Sequence, residues 1–160
     1  MLSLIFPAAL LLMFAVLFWR LGRRHAGLLP ILVAAFGLRL AFAVLNVIGF
    51  VFPFSNTTDI DAFLSHAEGM TGGALGIDVS QSYVWAGIIG IINYYTGDIA
   101  LSPLVLNMAA GVASVHCGIL LCHLALRDRT LALRVGWVLA VLPPLVFISA
   151  TYLRDAATTF

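Results

Sequence analysis

Residues Leu28–Phe50 read LLPILVAAFGLRLAFAVLNVIGF, an unbroken apolar run carrying a single charge, Arg39. A helix needs about 20 such residues to cross a hydrocarbon core ~30 Å thick. In lipid each backbone N–H and C=O must find a partner inside the protein, and a helix supplies those partners within one segment. The run is therefore predicted to be a transmembrane helix. Its lone arginine near mid-span is the costliest charge in the chain, at roughly 2.5–3.5 kcal/mol on translocon-type scales. It is expected to face other helices and to bond a carboxylate or backbone carbonyls.

The same length recurs on both sides of this segment. Leu2–Trp19, Pro103–Leu124 and Leu133–Tyr152 are apolar runs of near-spanning length. With 62% hydrophobic residues, 9% charged residues and a mean hydropathy of +1.10, the chain exceeds what a soluble domain of its size can hide. The expected fold is all-α, a polytopic transmembrane helix bundle. It has about four spans plus one interfacial or re-entrant helix, all in a single domain over 1–160. A net charge of +1 argues against nucleic acid as a partner. Leu2–Trp19 has no basic segment before it and no small-residue cleavage site after it, so it reads as a retained span rather than a signal peptide.

Arginines set the expected orientation, because cytoplasmic loops collect Lys and Arg while acidic residues count for little. Arg20–His25 and Arg127–Arg134 each carry three arginines and read as cytoplasmic. The long gap Phe52–Ser82 holds Asp59, Asp61, Glu68 and Asp78 with no Lys or Arg, and reads as external. An odd number of crossings must then separate that gap from Arg127. Tyr83–Thr96 is about 21 Å long as a helix, too short to span, and aromatics mark its ends. It is predicted to lie along the external interface or re-enter, leaving Pro103–Leu124 as the single crossing. The N-terminus, the loop 52–102 and Arg154-Asp155 all fall outside.

Two sets of external charges can carry chemistry. Asp59-Ile60-Asp61 follows a span end, and paired carboxylates there suit a divalent cation or a general base of raised pKa. The plainer reading is that Thr58 or Asp59 caps an interfacial helix, Ile60–Met70. Arg154-Asp155 closes the last span and supplies a cation suited to phosphate, or simply an interfacial ion pair. Gly69–Gly76 is too rich in glycine to continue a helix. Cys117 and Cys122 point to different sides of their helix, so a shared disulfide or metal is not favoured. His116 and His123 share a face, where packing between helices is the ordinary role and a His/His pair the alternative.

The order of these features resembles the N-terminal part of the GT-C superfamily, polytopic glycosyltransferases that use lipid-linked sugars. The carrying residues are Arg39 in an early span, and Asp59, Phe63 and Ala67 opening the external loop. They continue with Tyr83–Gly97, Asn107, Arg127-Asp128-Arg129, Pro143-Pro144 and Leu153-Arg154-Asp155. The resemblance covers about Leu28–Phe160 and makes Leu2–Trp19 an additional span. It implies catalytic roles for Asp59 and Asp155. It also implies that Arg39, Asp61 and Arg154 contact a polyprenyl-phosphate-linked sugar, with a divalent cation possible. The expected setting is a bacterial inner membrane. Because family members are much longer, the chain is expected to be an N-terminal portion lacking C-terminal spans, and inactive alone. Two other readings stand beside it: a small non-enzymatic membrane protein or subunit, and a transporter fragment with Arg39 lining the path.

Overall fold

The computed structural model describes residues 2–25, 27–47, 84–96 and 101–150. The described helices are α1 (Leu2–Arg24), α2 (Leu28–Val47), α3 (Val84–Thr96), α4 (Leu101–Leu126), α5 (Arg129–Val141) and α6 (Pro143–Ser149), and no strand occurs among the described residues. α1, α2 and α4 are long and apolar enough to cross a membrane, and the bent pair α5–α6 makes a fourth span if taken as one. The all-helical expectation holds among the described residues, with three helices of spanning length and the fourth candidate broken.

Charge did not end the helices where hydropathy did. α1 continues past the predicted limit at Trp19, through Arg20, Arg23 and Arg24. Cations in a last turn interact favourably with the carbonyl end of the helix dipole. The chain then reverses in a tight turn in which the Leu28 N–H donates to the His25 carbonyl at 3.1 Å. Gly27 takes φ +85° there, a left-handed conformation that favours glycine. Gly22 lets the two helices close together, since a Cβ on it would lie 2.8 Å from the Leu29 Cα.

The second basic turn is shorter still. Arg127 sits at φ 53° with its N–H donating to the His123 carbonyl at 2.9 Å, which terminates α4. Asp128 immediately starts α5, its carboxylate accepting from the Thr130 and Leu131 N–H groups at 2.8 and 3.0 Å. The predicted gap Arg127–Arg134 thus contracts to two residues, and Arg129 and Arg134 are helical.

Both basic turns lie at one end of the bundle, where His25, His123 and Arg129 line a common cavity. At the opposite end Leu4 of α1, Val44 of α2 and Leu101 of α4 line another. The chain therefore leaves α2 and enters α4 at the same end, and α4 alone carries it to the second basic turn. α3, with 13 residues, is about 20 Å long and packs on α1. Its last turn exposes Tyr94 and Tyr95, whose rings meet edge to face.

α2 and α4 form the centre, each touching α1 on one side and α5 and α6 on the other. Two apolar clusters fill the interior. One, including Ile31, Ala35, Val112 and Ile119, occupies the half nearer the basic turns. The other, with Ala43, Leu104, Met108 and Ala150, occupies the far half. Outward positions are apolar as well: Leu12, Leu121, Leu124 and Val138 are all more than half exposed. A surface of that kind suits lipid rather than water.

Candidate functional site

Between the two apolar clusters lies a polar layer organised by Arg39. α2 places it twelve residues into the helix on the face turned toward α4 and α6, and its exposure is 0%. Burial so complete requires partners for a guanidinium that brings five N–H donors. Nε donates to the Ser149 Oγ at 2.8 Å. Nη1 donates to the Ala35 carbonyl at 3.0 Å, one turn back on its own helix, and to the Ala140 carbonyl at 3.3 Å. Nη2 is buried and has no hydrogen-bond partner among the described residues.

The Ala140 carbonyl is available for a reason written in the sequence. In a continuous helix it would accept from the N–H four residues on, but that residue is Pro144, which has none. Pro143 removes the partner of the Leu139 carbonyl in the same way. The residue before a proline is pushed from the helical to the extended region, and Leu142 has φ −61° and ψ 116°. The run Leu133–Tyr152, expected as one span, is accordingly broken at Leu142 with a bend of 58° between α5 and α6. Pro143 then opens α6, the one position where its fixed φ favours a helix.

Arg39 reaches both sides of this break: Ala140 belongs to α5 and Ser149 to the end of α6. Ser149 is itself anchored, its hydroxyl lying 2.6 Å from the Leu145 carbonyl and 3.2 Å from that of Val146. Gly111 of α4 completes the layer. A Cβ there would run into the Ser149 side chain and sit 2.7 Å from Arg39 Nε, so only glycine admits α4 this closely. Hydrogen bonds to a charged donor contribute about 1.5–3 kcal/mol each, enough in sum to offset the cost of an arginine at this depth.

Of the residues expected to form the site, Arg39 alone lies within the described residues. Asp59, Asp61, Arg154 and Asp155 lie outside them, as do the predicted helix Ile60–Met70 and the segment Gly69–Gly76. The expectation that Arg39 meets either a carboxylate or carbonyls resolves to two carbonyls and a hydroxyl. Asp128, the only acidic residue described, sits at the basic end. Sequence reasoning missed Ser149 and Gly111. It had the signal for Ala140, since a Pro-Pro pair inside an apolar run frees the carbonyls four residues before it. Cys117 and Cys122 are free thiols. Among the described residues no three His, Cys, Asp or Glu side chains are placed to share a metal ion.

No protein-family model, curated protein or solved structure matches the chain. Its reading therefore rests on its own residues and geometry.

Proposed function

We propose that the chain is the N-terminal portion of an integral-membrane glycosyltransferase that takes a sugar from a polyprenyl-phosphate donor at the external face. The observation that supports this best is the pairing of a mid-span arginine with a Pro-Pro break in the span that leads to Arg154-Asp155. Arg39 and Pro143-Pro144 stand far apart in the sequence order that resembles the GT-C superfamily, and they meet at one carbonyl. On this reading Arg39 is a positioning residue that fixes the course of the chain toward Arg154-Asp155. Asp59 accepts the proton of the acceptor hydroxyl as it attacks the sugar's anomeric carbon. Asp155 assists it, and Arg154 stabilises the phosphate that leaves with the electron pair of the broken glycosidic bond. Asp61 contributes to substrate binding beside Asp59.

The enclosure of Arg39 also suits a second reading, a small non-enzymatic membrane subunit, since all its partners are helix atoms. Sugar transfer by the full-length protein from a polyprenyl-phosphate donor separates the two. General-base catalysis contributes typically 10²–10⁴-fold, so Asp59→Asn is expected to lower the transfer rate by about 100-fold or more, and Asp155→Asn to lower it less. Transfer at the unmodified rate in Asp59→Asn would remove the glycosyltransferase reading.

A further inference from the structure

The end of the bundle where the two basic turns lie carries a second feature, independent of the glycosyltransferase reading. A cavity of about 210 Å³ opens where the two basic turns meet. Its polar wall is made by His25 from the α1–α2 turn, His116 and His123 from α4, and Arg129 from the first turn of α5. Since water in the liquid takes about 30 Å³ per molecule, the space accepts a group of several heavy atoms. The remaining wall is apolar, with Leu28, Leu120 and Leu133 among its residues.

Three elements separated in sequence thus deliver only imidazoles and a guanidinium to one hollow. No carboxylate lines it among the described residues, and the Asp128 Oδ1 accepts from the Thr130 and Leu131 N–H groups as the α5 cap. The Nδ1 atom of His116 is buried and has no hydrogen-bond partner among the described residues, leaving a polar ring atom that a bound group or its water would satisfy. Arg20, Arg23, Arg24 and Arg134 stand outside the cavity and add to the positive field at this end.

The apolar side of the cavity has a continuation. Leu120 is both a lining residue and 44% exposed, and Leu121 and Leu124 extend the exposed apolar strip along α4 at 66% and 72%. A ligand seated here would have its charged end among His25, His116, His123 and Arg129 and its apolar part along that strip. Basic pockets between transmembrane helices at the cytoplasmic interface are suited to lipid phosphate headgroups.

We propose that this cavity binds a phosphate group, supplied by the headgroup of an anionic membrane lipid or by free inorganic phosphate. Arg129 provides the fixed positive charge and the imidazoles provide additional donors.

The test uses the full chain in nanodiscs holding equal parts of phosphatidylglycerol and phosphatidylcholine, with retained lipid read by native mass spectrometry. In a parallel arm, inorganic phosphate is added to the lipid-free protein in detergent and followed by phosphorus NMR line broadening. The unmodified chain is expected to retain phosphatidylglycerol over phosphatidylcholine. Arg129→Gln is expected to weaken that retention about fivefold, as for one basic residue near an anionic surface. His123→Gln, at an exposed position, is expected to lower it further when added. Arg134→Gln, which removes the same charge outside the cavity, is expected to change it by less than about twofold. Retention of the lipid identifies a headgroup as the source. Broadening of inorganic phosphate with the same dependence on Arg129, without lipid retention, identifies the free anion, and either result supports the site. Equal loss in Arg129→Gln and Arg134→Gln, or retention of neither ligand, overturns it.

Discussion

α4 and the α5–α6 pair run side by side through the same bundle, both apolar and both containing proline, yet α4 is one helix of 26 residues and its neighbour is bent by 58°. The difference lies in where the prolines fall. Pro103 is the third residue of α4, where backbone N–H groups have no intrahelical acceptor, so nothing is lost. Pro30 is likewise the third residue of α2. Pro143 and Pro144 fall well inside an apolar run and strip the donors from two carbonyls. One of these, Ala140, is recovered by Arg39. A charge that looks expensive in a membrane and a break that looks damaging are thus each other's remedy.

The largest effect should come from removing that remedy. Arg39→Leu keeps the bulk apolar but leaves the Ala140 carbonyl and the Ser149 hydroxyl without their shared donor. The Ser149 hydroxyl keeps its bond to the Leu145 carbonyl, so the Ala140 carbonyl is the buried group left unpaired, and a loss of about 1–3 kcal/mol is expected, read as a lowered Tm of the purified protein in detergent. An unchanged Tm would mean that the broken span does not need the arginine. At the other extreme stands Pro30→Ala. Its side chain is exposed in the first turn of α2, and the change is expected to stay within about 0.5 kcal/mol. A large effect there would undo the positional argument.

Much of the architecture was legible before any coordinates. The run Leu28–Phe50 announced a long apolar helix, described over Leu28–Val47, and the two arginine-rich gaps marked the turns that meet at one end. Helix limits were not legible from hydropathy, because an arginine at an aqueous helix end is tolerated as well as a leucine; α1 therefore outruns Trp19. Nor was the Arg127-Asp128 turn, which depends on a left-handed arginine and a capping carboxylate rather than on apolar length. The partners of Arg39 were half visible: Pro143-Pro144 betray a freed carbonyl, whereas nothing local marks Ser149 or Gly111. Their roles arise only once α4 and α6 are packed against α2. Of the expected site, Asp59, Asp61, Arg154 and Asp155 lie outside the described residues, so its sequence reading stands as a proposal.

The coupling of Arg39 to the break can be measured directly with spin labels at Val138 and Phe147, one on each side of Leu142, by double electron–electron resonance in nanodiscs. The unmodified chain should give one narrow distance distribution, and Arg39→Leu a broadened or shifted one as α6 loses its hold on α5. An identical narrow distribution in Arg39→Leu would contradict the account, because the bend would then be set by the prolines alone.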